Sequence, residues 1–129
     1  MKRPLTLTVV LGLSLITSGC AVVFLVGGAV AGAGAVMWTR GWLDETSLEP
    51  LPRVHRAAKA ALDDFKTTLE ADRLEPTSGF LAGYLPDDRR VEIKTRIVAE
   101  KSTRLSIRVG LWGDQETSLR ILERLKKHL

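Results

Sequence analysis

The sequence predicts an α+β domain of order β-α-β-β-β-α, a small antiparallel sheet covered by two helices on one face, preceded by an apolar N-terminal segment. Three observations carry that reading. Charge is absent from Pro4 through Thr39 and recurs every few positions from Arg40 to Leu129, so the two parts suit different solvents. Apolar residues from Leu51 to Leu69 recur at three- and four-residue steps, the spacing of one helix face. Between Val91 and Leu111 they alternate with charged and polar residues, the period of a strand with one dry and one wet side.

Taken in order, 36–48 holds Trp38 and Trp42 at even spacing around Arg40, which predicts a first strand, with Trp38 alternatively an interfacial anchor. Pro50 and Pro52 mark a boundary. Leu51, Val54, Ala58, Ala61, Leu62, Phe65 and Leu69 then predict a helix of about five turns that ends before Pro76, its alanines suited to close packing on a sheet. Strands follow at Ser78 to Leu85, Val91 to Ala99 and Leu105 to Leu111, joined by turns at Pro86-Asp87-Asp88 and Lys101-Ser102-Thr103, a three-stranded meander. Asp114 suits the N-cap of a final helix with Ile121, Leu122, Leu125 and Leu129 as its apolar stripe, Glu116 in its first turn and Lys126, Lys127 and His128 in its last.

With 129 residues, 45% of them hydrophobic, the chain holds one modest core. Its 19 Lys and Arg against 15 Asp and Glu give a net charge of +4. Removal of Lys2 and Arg3 leaves 17 against 15, a net +2. So small an excess, spread along the chain, argues against a nucleic-acid partner, which calls for clustered cations.

The N-terminus has the order of a secretory signal: Lys2 and Arg3, then twelve apolar or neutral residues from Leu5 to Ile16, then the small residues Thr17, Ser18 and Gly19 before Cys20. The run Leu15-Ile16-Thr17-Ser18-Gly19-Cys20 resembles the lipobox of bacterial lipoproteins, with Thr17 where that pattern prefers Leu. The resemblance implies a signal peptide at 1–19, diacylglycerol and N-acyl lipid (palmitate being typical) on Cys20, and no other cofactor. Two chains suffice for stable retention in membrane lipid. Ala21 rather than Asp after the cysteine resembles the sorting signal of Gram-negative lipoproteins for the outer membrane, facing the periplasm. The competing reading makes Cys20 a small buried hydrophobe in an uncut anchor helix.

Residues 20–37 form a Gly/Ala-rich membrane-proximal segment where a polar tether is usual, and 38–129 form the α+β domain. On a helix, Gly28 and Gly32 fall one turn apart and leave a smooth side for self-association within the membrane. Two blander readings stay open beside it, an apolar stretch at the headgroup boundary or packed on the domain, and an uncut signal spanning the inner membrane.

Near the C-terminus, Ile107-Arg108-Val109-Gly110-Leu111-Trp112-Gly113-Asp114, followed by Glu116, Ser118 and Ile121, resembles the signature of the family called domain of unknown function 3568, short bacterial lipoproteins. The likeness extends over the lipobox, the small-residue segment and the Ala-rich helix, and it implies no activity. Gly110 and Gly113 frame a strand-to-helix turn in which Asp114 serves as a cap, or with Arg108 holds a small anion. No GK[ST] follows, so this is not a phosphate loop.

Chemistry is sparse. His55 on the long helix and His128 at the end read as solvated, without the Cys, His or spaced carboxylates of a metal set. The adjacent acids Asp63-Asp64 and Asp87-Asp88 point apart on a helix or turn, and no serine stands in a GxSxG context. The expectation is a protein without catalytic residues; a small envelope enzyme would need His55 to meet a carboxylate and a hydroxyl in a cleft. Outward Lys94, Arg96, Arg104 and Arg108 offer a basic face to an anionic lipid or glycan or to an acidic envelope protein, or else an ordinary solvated face tempered by Glu92 and Glu100.

Overall fold

A computed structural model describes residues 36–129, and Thr17, Ser18, Gly19, Cys20, Gly28 and Gly32 lie outside the described residues. Their order is β1 (Met37–Thr39), β2 (Trp42–Ser47), α1 (Leu51–Asp64), β3 (Thr68–Leu74), β4 (Ser78–Tyr84), β5 (Arg90–Ala99), β6 (Ser102–Val109) and α2 (Gln115–Lys126). The strands form one six-stranded sheet, β1-β2-β6-β5-β4-β3, antiparallel at every pairing. The α+β class therefore holds, with two more strands than the alternation predicts. Among the described residues no helix is long and apolar enough to cross a membrane.

The first added strand comes from a turn. Arg40 and Gly41 take φ of 52° and 82°, and Thr39 pairs with Trp42, so the expected single strand is a hairpin with a two-residue turn whose central residues are both left-handed. This folding reverses an inference drawn from even spacing. Trp38 pairs with Leu43 and packs against the core, whereas Trp42 goes to the opposite side of the sheet.

The second added strand was hidden by helix-forming residues. The helix stops at Asp64 because Lys66 adopts a φ of 56°, with Lys66 N–H donating to the Asp63 carbonyl (2.9 Å) and Thr67 N–H to the Leu62 carbonyl (3.0 Å). That pair of bonds is a Schellman cap, usually built on glycine, here on lysine. Leu69 continues the helical spacing by coincidence and packs on the core from β3 instead. As an edge strand, β3 carries Glu70, Asp72 and Arg73 and a register shift between Leu69 and Ala71, features that discourage pairing with another chain.

Both helices lie on one face. There Leu43, Leu81, Val91, Ile93, Leu105, Ile107 and Val109 meet Val54, Ala58, Leu62, Ile121, Leu122 and Leu125 in a single cluster. The run β2-α1-β3 carries the chain from one side of β6 to the far edge, and β3 through β6 return as a meander. As expected, Asp114 caps α2, accepting from Thr117 N–H at 3.3 Å.

Two close turns meet at the β1 edge. A Cβ on Gly113 would stand 2.3 Å from the Gly41 carbonyl oxygen, while one on Gly110 would meet nothing within 4 Å, although φ is 82° and 74° respectively. Gly110→Ala should lower stability by about 1–2 kcal/mol, the penalty of a left-handed Cβ. Gly113→Ala adds a backbone collision and should cost clearly more. Equal losses in urea denaturation would contradict the packing of these turns.

Candidate functional site

Period-two alternation sends every second side chain of the sheet away from the helices. On that face, which no described residue covers, β2 places Trp42 and Asp44, β6 places Arg104, Ser106 and Arg108, β5 places Glu92, Lys94 and Arg96, and β4 places Ser78, Phe80 and Tyr84. The four predicted cations thus come together across two adjacent strands. Arg96 stands directly opposite Arg104, and Lys94 opposite Ser106.

Among the described residues no carboxylate oxygen lies within 4.0 Å of Lys94, Arg96, Arg104 or Arg108, whereas Arg90 at the end of the same face is held by Glu70 (3.0 Å) and Glu92 (3.1 Å). Aromatic rings partner the cations instead. Lys94 Nζ sits 4.4 Å from the Trp42 ring centroid, the Arg108 guanidinium 5.6 Å from the same ring, and Arg73 5.0 Å from Phe80. Ser78, Phe80, Lys94, Arg96, Arg104 and Ser106 line a shallow depression of about 340 Å³. Cations and hydroxyls around an open hollow can bind carboxylates, sulfates or phosphates; they supply no acid–base pair.

Arg108 is not part of an anion site at the α2 cap. Its guanidinium donates to the Leu111 carbonyl, and Arg89 is the residue that pairs with Asp114. Hydrogen bonds from Thr117, then the Arg89 charge, hold the Asp114 carboxyl below the usual carboxylate range. Capping and ion pairing account for that cluster.

His55 departs from expectation. It is 6% exposed, facing the sheet from α1, and its Nε2–H donates to Asp72 Oδ1 at 2.8 Å. Lys59 Nζ reaches the other oxygen at 2.6 Å. On the far side of the ring, His55 Nδ1 and Thr95 Oγ1 are both buried without a hydrogen-bond partner, and a Cβ on Gly79 would fall 2.6 and 2.5 Å from them. A histidine, a carboxylate and a hydroxyl do gather here, but beneath α1, with His55 and Thr95 closed to a substrate.

The position of His55 on the stripe of Leu51, Val54 and Ala58 was the signal for its burial. Asp72 gave none, because its strand read as helix and linker. His128 is exposed as expected and bonds Asp64 at 2.6 Å. Among the described residues no group of three His, Cys, Asp or Glu side chains could hold a metal ion.

Lys59, then His55, keep the Asp72 carboxyl below its usual range. A carboxylate of lowered pKa stabilises the fold above its ordinary value and loses that contribution as pH falls through the lowered one. Asp72→Ala, which strands the His55 Nε2–H, should cost about 1–3 kcal/mol at neutral pH. Its deficit against wild type should narrow on acidification in a pH series of urea denaturations. A deficit constant into acid would show that the charge of Asp72 contributes nothing.

Comparison with known proteins returns one family and no curated relative at a significant level. The model of the family described as Protein of unknown function (DUF3568) matches residues 4–128. That match takes in the sheet, both helices and most of the N-terminal segment, and the chain belongs to this family.

Proposed function

We propose that this protein is a lipid-anchored protein of the bacterial cell envelope, retained through Cys20 at the periplasmic face of the outer membrane, where the open sheet face binds an acidic envelope partner. It works as a binding module rather than an enzyme. The observation that carries the reading is the set Lys94, Arg96, Arg104 and Arg108 on one sheet face, none of them ion-paired among the described residues although Asp44 and Glu92 share that face. Stability does not account for the arrangement, since like charges directly opposite across strands, as Arg96 and Arg104 are, destabilise a sheet. The Arg96–Arg104 pair, which folding disfavours, is kept for what it meets. The signal-like order of Lys2 through Cys20 supports the address, and the uncharged stretch of residues 21–35 extends the lipid anchor.

Two measurements test the two halves of the reading. Cells fed radiolabelled palmitate should label the wild type and leave Cys20→Ser unlabelled; equal labelling of both, or of neither, removes the anchor. For the face, retention of detergent-solubilised full chain on immobilised heparin, a polyanion probe, should weaken in Arg96→Glu/Arg104→Glu. Reversing two charges on the helix side, Arg56→Glu/Lys127→Glu, is the control for net charge. If both double variants elute at the same salt concentration, the open face has no special affinity.

A further inference from the structure

Beyond the open face, two neighbouring large apolar side chains stand exposed together at one corner of the fold, at the opposite end of β6 from the singly exposed Leu48. Leu111 is 76% exposed and Trp112 is 88% exposed. Their loop is not slack. Asp114 N–H closes it onto the Val109 carbonyl at 2.8 Å, Gly110 N–H donates to the Arg90 carbonyl at 2.7 Å, and Gly41 packs so closely that a Cβ there would stand 2.6 Å from the Trp112 carbonyl oxygen. Backbone held this firmly, with both side chains directed into water, forgoes the stabilisation that burying two large apolar side chains would return. Exposed apolar side chains on a rigid support mark a surface that something else covers.

What covers it follows from where the chain enters the domain. Val36 immediately precedes β1, and β1 is three residues long before the Arg40-Gly41 turn that abuts Trp112 and Gly113. At about 3.3 Å per residue, the entry point lies within roughly 13 Å of that turn along the strand. Residues 21–35, which lead into it, carry no charge. Met37 beside the entry is 62% exposed, and the exposed Arg40 stands in the turn itself. An indole, a leucine and a guanidinium at one corner match the headgroup boundary of an anionic bilayer, where the ring sits among headgroups, the aliphatic chain enters the acyl region and the cation meets phosphate.

We infer that the Leu111–Trp112 loop inserts into the surface of the membrane that anchors the chain, with Arg40 on lipid phosphate. This contact rests on the lipid-anchored reading above and adds to it an orientation: the strand ends face the bilayer and the open sheet face stands clear of it, accessible from the periplasm.

Full chain purified in detergent is reconstituted into phosphatidylethanolamine–phosphatidylglycerol vesicles, with and without brominated acyl chains, and floated. Subtracting the emission of Trp112→Ser, a change at a solvent-exposed site that leaves the core intact, isolates the Trp112 signal from Trp38 and Trp42. Brominated lipid should quench most of that signal, and aqueous acrylamide should reach it less in vesicles than in protein freed of lipid. A Trp112 signal untouched by brominated lipid and open to acrylamide, in protein that floats, overturns the insertion and leaves the anchor standing. Protein that fails to float overturns the anchor, and the insertion with it.

Discussion

Strand β6 fits the sheet in one register, and most of the structure follows from it. Thr103, Leu105, Ile107 and Val109 face the helices while Arg104, Ser106 and Arg108 face outward. A slip by one residue would exchange the two sets and carry two arginines into the core. Both ends are pinned against that slip. At one end Thr103 Oγ1 donates to the Glu49 carbonyl at 2.9 Å and Ser102 Oγ to the Ser47 carbonyl at 3.3 Å. At the other, Gly110 bonds Arg90 and Gly113 lies against Gly41. Because β6 pairs with both β2 and β5, its register also sets theirs.

The helices depend on this face more than on their own sequences. Pro50 occupies the N-cap of α1 without a side-chain cap, and its first turn has no acidic residue, so packing must hold it. Ala57, Ala58 and Ala61 are buried, which lets its backbone approach the strands closely. Polar ties finish the layer at its rim. Lys126 of α2 reaches the buried Glu45 at 2.9 Å, opposing the burial that pushes the Glu45 carboxyl above its usual range. His55 and Asp72 bind α1 to the edge strand β3 in the same manner. Each tie is weak evidence of net stabilisation, but each leaves a buried polar group stranded if one partner is removed.

Elements whose residues obey one period were legible in the sequence: β5 and α2, with the Asp114 cap, are where alternation and helical spacing place them, while β6 runs from Ser102 to Val109, taking in two residues expected in a turn and leaving Leu111, expected on its core face, exposed in the loop. So was the grouping of Lys94, Arg96, Arg104 and Arg108, because alternation alone puts them on one side. What the sequence concealed was local left-handed backbone at residues other than glycine. Lys66 ends α1 where no glycine announces it, and Arg40 begins the turn that splits the first strand. Those two residues account for both additional strands. The missed Asp72 partner of His55 follows from the first of them, since a side chain assigned to a helix or linker cannot be paired with one across a sheet.

The two candidate surfaces differ in chemistry because they lie on different boundaries of the same sheet. Side chains on the open face alternate with core residues, and there cations come with hydroxyls and interspersed Asp44 and Glu92, a wet polar mixture that a hydrocarbon surface would not repay. Side chains at the strand ends answer to no alternation, and there Leu111 and Trp112 stand exposed on backbone stiffened by the Gly41–Gly113 contact. Membrane contact suits the ends and an acidic partner suits the face. Rigidity between them matters, because Arg108 belongs to both: its guanidinium lies over Trp42 on the face and donates to the Leu111 carbonyl in the loop. Seating the loop in a bilayer therefore also fixes one edge of the basic face.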